Sequence, residues 1–253
     1  MITKEEMGKI AGAKRLSVES CEKDYLLELV LFSICSEFGD ALIFKGGTAL
    51  YKLYSLNRFS EDLDFTLNKR KFDFEKMARK IILSLERLGI EGKVKEFSKY
   101  RNEVNIRFIF YGPLYRGSRE SMVFVSINIS LRERVLGFEK EIFIPSYKEI
   151  PSFDIFVMEP KEILAEKVRA IYSRNKPRDV YDLWFLLKRG EAIDFKLIEK
   201  KLKIVGIKFS QKDFLKKIHE KENLWERDLE HMIIGNLPDF KTVEKEILFK
   251  FTS

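Results

Sequence analysis

Apolar residues recur at helical spacing from Lys23 to Phe38, where Leu26, Leu27, Val30, Leu31, Ile34 and Phe38 form one stripe and Gly39 follows as a C-cap. A short apolar run, Ala41 to Phe44, leads into Gly46-Gly47. The spacing of Leu50, Leu53 and Tyr54 predicts a helix over Thr48 to Leu56. Asp62 to Leu67 alternates polar and apolar, as a half-buried strand does. Asp73 to Leu88 returns to helical period through Phe74, Met77, Ile81, Ile82 and Leu85. A strand-rich block follows, over Lys93 to Phe97, Glu103 to Tyr111, Ser121 to Leu131 and Glu141 to Ile144. The turn-forming stretch YGPLYRGSRE joins the second of these strands to the third.

From Pro160 the period becomes helical throughout: PKEILAEKVRAIYSR, RDVYDLWFLLKRG, FKLIEKKLKIVG and SQKDFLKKIHEKENLWERDLEHMI. Pro160 sits where a helix-starting proline belongs. The pattern predicts an α+β chain with an α/β domain over 1–158 and an all-helical domain over 159–253. No Gly/Ser-rich linker separates them.

The 253 residues are 45% hydrophobic and 34% charged, a globular composition. A net charge of +7 and a pI of about 9.1 favour an anionic partner, although solubility alone would also explain them. Cys21 and Cys35 lack any CxxC or His context, which excludes a zinc site and a disulfide framework and leaves core packing. The opening MITKEEMGKI is no signal-peptide core, and no apolar run reaches membrane-spanning length, so the expectation is a cytoplasmic protein. A single glutamine, Gln211, amid abundant Lys, Glu and Ile is a pattern shared by hyperthermophile proteins and AT-rich genomes.

Two features carry chemistry. Residues two apart on a strand share a face, so Asp62 and Asp64 project together while Leu63 and Phe65 project into the core. Paired carboxylates repel unless a cation lies between them. Mg²⁺ (or Mn²⁺), held by such acids and by substrate phosphates, satisfies that need. Pairing with Lys45 or Arg58 would satisfy it too. Ahead of the acids, Gly46-Gly47 lets the backbone approach a ligand, and the free N–H groups of the following helix attract anions, with the Thr48 hydroxyl at the same end. The stretch therefore offers a phosphate cradle followed by a metal-holding pair.

KGGTALYKLYSLNRFSEDLDF resembles the signature of the AbiEii-type nucleotidyltransferase toxins, which include the MenT group, within the polymerase-β-like nucleotidyltransferase superfamily. The R-x-S-x-D-x-D-F form is present as Arg58, Ser60, Asp62, Asp64 and Phe65. A second block resembles the family's downstream motif: Glu166, Lys167 and Ala170, then Arg178, Asp179, Asp182 and Leu183. The likeness spans about residues 25 to 190.

The resemblance implies a polymerase-β-like core, a mixed β-sheet with flanking helices, followed by a helical C-terminal region. It implies transfer of NMP from an NTP to an acceptor hydroxyl at the 3′ end of tRNA, in a toxin–antitoxin or phage-defence pair with a cognate antitoxin. Asp62, Asp64, Lys167, Asp179 and Asp182 are the expected catalytic residues. Asp62 and Asp64 would hold the metal, and Lys45, Gly46, Gly47, Thr48, Arg58, Ser60 and Arg178 the nucleotide. Lys167 would otherwise snorkel from an apolar helix, and Arg178 could simply pair with Asp182 at i,i+4. Trp184 to Leu187 read as core.

The basic runs Lys69–Lys71 and Lys196–Lys217 suit an RNA partner. On the strand FVSINISL, Asn128 stands where many superfamily members carry a third carboxylate, and an amide cannot act as a base. Asp179 or Asp182 could supply that acid. Two alternatives stay open: transfer to a small molecule or protein, and an inactive nucleotide- or RNA-binding relative.

Overall fold

The computed structural model describes residues 2–252. Alternation builds its sheet. Seven strands, β1 (Leu42–Lys45), β2 (Asp62–Leu67), β3 (Gly92–Lys99), β4 (Glu103–Phe110), β5 (Val123–Ser130), β6 (Phe138–Phe143) and β7 (Phe153–Met158), assemble in the order β3-β4-β5-β2-β1-β7-β6. The sheet is mixed. β2 runs parallel to β5 and β1 parallel to β7, whereas β1–β2, β3–β4 and β4–β5 are antiparallel. The predicted β2 bounds match the strand residue for residue, and the YGPLYRGSRE stretch connects the antiparallel pair β4–β5.

The chain forms two compact units. The first comprises 1–49 and 60–157, the second 50–59 and 158–253. In the first, α1 (Lys4–Lys14), α2 (Val18–Phe38) and α4 (Phe74–Glu86) accompany the sheet. α2 packs against β2 and β5, and Leu63, Phe65, Val125, Ile127 and Ile129 of those strands are fully buried. Phe44 and Phe65 meet across β1–β2 with ring centroids 5.3 Å apart. Cys21 is buried and Cys35 half-buried, both within α2.

The second unit holds α5 (Pro160–Ser173), α6 (Pro177–Lys188), α7 (Phe195–Lys203), α8 (Gln211–His219), α9 (Trp225–Leu229) and α10 (Phe240–Thr252). Prolines open both α5 and α6, positions where a missing N–H costs nothing. The segment Leu50–Phe59 belongs here as well. Its Phe59 N–H donates to Met232 O and Ile234 N–H donates to Asn57 O, at 2.7 and 2.8 Å.

Several elements differ from the sequence-based expectation. The helix α3 spans Gly46–Tyr54, so the glycines form its first turn rather than a turn ahead of it. The single long helix expected over 210–233 is broken into α8, a 3₁₀ turn and α9. Burial decides this: Trp225 is 1% exposed with its indole N–H on Pro238 O, and Lys221 is buried with its ammonium on Lys217 O. α1, β7 and α10 have no expected counterpart. For α1 the available signal was the capping box of Thr3 and Glu6, and for α10 the spacing of Val243, Ile247 and Phe251.

Lys201, counted among surface lysines, is fully buried, with its ammonium 2.6 Å from Glu162 and 3.3 Å from Glu166. Lys196, Lys200, Lys203, Lys208, Lys212 and Lys216 are exposed, as are Lys69, Arg70 and Lys71.

Phe65→Ala, at the centre of the sheet, is expected to cost about 3–5 kcal/mol, read from the urea midpoint of the intact chain. A cost under about 1 kcal/mol would contradict this placement of the core.

Candidate active site

In the first unit the polar face of the sheet is built by strict register. Lys45 of β1 stands opposite Asp64 of β2, Asp64 opposite Asn128 of β5, and Asn128 opposite Asn105 of β4. One step along, Asp62 stands opposite Ser126, and Ser126 opposite Arg107. Residues directly opposite one another share a face, so these side chains form two adjacent polar rows. Asp62 and Asp64 are half-buried there, as the alternation predicts.

The Asn128 amide nitrogen donates to Asp64 Oδ1 at 3.0 Å. Asn128 thus lies beside the acidic pair, at the position expected for a third carboxylate, and acts on Asp64 as a hydrogen-bond donor. It restrains the carboxylate's orientation, but it cannot take up a proton.

Gly46 fits against the same acid. Its φ is +76°, and a Cβ built there would lie 2.5 Å from Asp64 Oδ2. Only glycine combines that left-handed backbone with so close an approach. The start of α3 and the carboxylate therefore meet without an intervening side chain. Gly47 and Lys45 are buried beside it.

Thr48, expected on the nucleotide, is turned inward. Its hydroxyl is fully buried, donates to the Asp62 carbonyl and lies 2.8 Å from Ser60 Oγ. Thr48 and Ser60 thus tie the start of α3 to the start of β2 and fix where the acids emerge. Two half-buried carboxylates on one face, with hard oxygens and room left for substrate oxygens, fit a Mg²⁺ or Mn²⁺ ion. Among the described residues no cluster of three or more His, Cys, Asp or Glu side chains is placed to hold a metal.

In the second unit the downstream motif forms a buried chain of charges. Asp182 is fully buried and accepts from two Arg58 nitrogens, Nε at 2.8 Å and Nη2 at 2.9 Å. Lys167 Nζ lies 2.6 Å from Asp182 Oδ2 and 3.2 Å from Asp179 Oδ1. Asp179, also fully buried, receives the Arg174 guanidinium through Nε and Nη2, each at 2.7 Å.

Burial alone would raise the pKa of both acids. For Asp179 the Lys167 and Arg174 charges outweigh burial and bring it from 3.8 down to about 2. For Asp182, Arg58 and Lys167 likewise overcome burial and hold it below its usual value. Burial opposes the charge on Arg58, and Asp182 more than offsets this, raising its pKa.

This arrangement changes several expected roles. Arg58, expected on the nucleotide, is 1% exposed and engaged with Asp182 and with Phe59 O at 3.2 Å. Asp182 pairs with Arg58 and Lys167 rather than with Arg178. Lys167 does not snorkel: it is 7% exposed and turned onto two acids. Arg178 is half-buried and borders a small cleft with Lys176, Arg227 and His231. Trp184 is half-buried with its indole N–H on Glu246, while Leu186 and Leu187 are core. Arg174 went unnoticed in the sequence; its signal was a cation five residues before Asp179 across a helix break.

The family model described as "Nucleotidyl transferase AbiEii toxin, Type IV TA system" matches residues 29–246. An uncharacterised protein of Aquifex aeolicus (strain VF5) is 27% identical over 184 residues, 72% of each chain. A Helicobacter pylori structure described as that of a candidate nucleotidyltransferase is similar with a TM-score of 0.64 and 21% identity, covering 94% of this chain and 95% of that one. The MenT4 nucleotidyltransferase toxin of Mycobacterium tuberculosis H37Rv has a TM-score of 0.64 at 19% identity, over 99% and 89% of the two chains. At these identities the two structures establish the fold.

The buried charges make the helical unit sensitive to single truncations and to acid. Arg58→Ala leaves the buried Asp182 with Lys167 as its remaining cation and is expected to cost about 3 kcal/mol in thermal or denaturant unfolding. Because the Asp179 pKa is depressed on folding, its contribution is complete above pH 3.8 and is lost as pH falls toward about 2. Asp179→Asn should therefore be less stable at neutral pH and lose less further stability between pH 4 and 2. Parallel Tm–pH curves for the two proteins would contradict the assignment.

Proposed function

The chain belongs to the AbiEii nucleotidyl transferase toxin family, and on that premise we propose that it transfers NMP from an NTP to the hydroxyl at the 3′ end of tRNA. It would do so as the toxin of a toxin–antitoxin or phage-defence pair, with a cognate antitoxin as its protein partner. These substrates place its action in the cytoplasm. The observation that carries the reading is the approach of Gly46 to Asp64, which leaves no side chain between the first turn of α3 and a carboxylate on the polar sheet face.

Phosphate oxygens bind at that first turn, where free N–H groups and the helix dipole favour anions, with the Lys45 charge alongside. Asp62 and Asp64 would hold Mg²⁺ or Mn²⁺. When bound, the metal neutralises the triphosphate and draws electron density from phosphorus. The acceptor oxygen bonds to the α-phosphorus as the bond to the β-phosphate oxygen breaks and pyrophosphate leaves. The hydroxyl proton passes to solvent, since Asn128 can only donate to Asp64. Positioning and charge neutralisation, rather than covalent catalysis, then supply the acceleration.

Within the helical unit, Lys167 is the member of the buried chain that can serve phosphate as a point charge. Asp179, Asp182 and Arg58 become positioning residues that fix its ammonium. Thr48 and Ser60 shape the loop that delivers the acids, and Arg178 is left as an anion contact.

Purified protein incubated with each labelled NTP, Mg²⁺ and total tRNA should label tRNA. Asp62→Ala and Asp64→Ala should each lower labelling about 100-fold or more. Gly46→Ala should do the same, at a stability cost of about 1–2 kcal/mol for its left-handed backbone plus whatever the displacement of Asp64 by the added Cβ costs. Label on protein or on small molecules, or on no acceptor with any NTP, would overturn the proposal.

A further inference from the structure

The polar sheet face does not end at the acids. Phe124 shares the face of Ser126 and Asn128 on β5, because the three alternate with the buried Val125 and Ile127. Ser126 is opposite Asp62, so Phe124 lies one same-face step beyond the Asp62 row, roughly 7 Å along the strand at 3.3 Å per residue. It is half-buried, and two cations lie over its ring: Arg107 Cζ 4.8 Å and Lys95 Nζ 4.7 Å from the centroid.

Lys95 owes its place to a register shift. Between Val94 and Glu96 the β3–β4 pairing slips, and Lys95 is the extra residue of that bulge, opposite the region of Arg107. Bulges of this kind re-aim a side chain, often beside active sites. Arg107 and Lys95 are both exposed on flexible stems. A cleft of about 490 Å³ opens beside the platform, with Arg107 and Phe124 on its wall near Lys23, Arg116, Glu19 and Glu120. Such a volume is adequate for a nucleotide-sized group.

We propose that Phe124, Arg107 and Lys95 form a stacking subsite for an unpaired base near the 3′ end of the acceptor RNA. The proposal rests on the nucleotidyl-transfer reading and names where the acceptor strand lies. An aromatic face stacks any base, and flexible cations beside it follow the phosphate of the same nucleotide. The base takes the position of one cation over the ring while the backbone retains the charge. The distance from the Asp62 row is about one nucleotide step, which places the base next to the reacting end. The partner is a single strand, because a base within a duplex has no free face to offer.

The test measures binding without catalysis. A fluorescently labelled single-stranded RNA oligonucleotide is titrated by anisotropy with the full chain, its Phe124→Leu and Phe124→Tyr variants, and an Arg107→Ala/Lys95→Ala double variant, each checked for folding by circular dichroism. Phe124→Leu should weaken binding about ten-fold, Phe124→Tyr should bind as the unaltered chain does, and the double variant should bind more weakly with a shallower salt dependence. The double variant replaces exposed residues only, so it remains informative if Phe124→Leu does not fold.

Equal affinities across the set would overturn the subsite. So would displacement of the oligonucleotide by NTP together with a raised KM for NTP in Phe124→Leu, which would assign the ring to the donor base. If RNA binds in a Phe124-dependent way but is never labelled, the transfer reading fails while the platform stands.

Discussion

Two carboxylates without any solvent exposure govern the helical unit. Asp179 and Asp182 sit one turn apart on α6, and burying both is tolerable only because Arg58, Lys167 and Arg174 surround them. Desolvation costs each ion several kcal/mol, so every lone pair must find a donor. That demand draws in residues far apart in the chain: Arg58, in the short segment 50–59, closes on Asp182 across 124 residues. The backbone pairing of Asn57 and Phe59 with Ile234 and Met232, and the Tyr181 hydroxyl on Asn57 Oδ1 at 2.7 Å, brace the same segment. Lys167 is held by two acids at once, which makes its ammonium a fixed charge rather than a mobile one.

The sheet unit obeys a different constraint, the two-residue period of a strand. One face of β2 and β5 is buried and apolar, so the other must carry whatever polar chemistry those strands have. Asp62, Asp64, Asn128, Lys45 and Arg107 fall into register on it because pairing fixes neighbours as well as faces. Gly46 then matters for what it lacks, since any Cβ there would strike Asp64. The hydroxyls of Thr48 and Ser60 serve the same end from beneath, fixing the loop that carries the acids.

Much of this was legible along the chain. The bounds of β2, the shared face of Asp62 and Asp64 and the helix start at Pro160 all follow from strand alternation, helical period or proline chemistry. These rules act over a few residues and need no knowledge of the rest of the molecule. The family resemblance was legible for the same reason, since its residues cluster in two short blocks.

What the chain alone left open were the choices of partner. Spacing offered Arg178 as the mate of Asp182 and set Arg58 beside Asp62 and Asp64, Lys201 looked like any surface lysine, and the Thr48 hydroxyl was free to serve an anion at the helix start. Each was decided by which groups the fold removes from water. A buried carboxylate takes whichever donor the packing delivers, and a buried lysine takes whichever acid lies within reach. Periodicity is a property of local dihedral angles and can be read from spacing. Pairing is settled by desolvation across the whole fold, and only the tertiary structure holds that information.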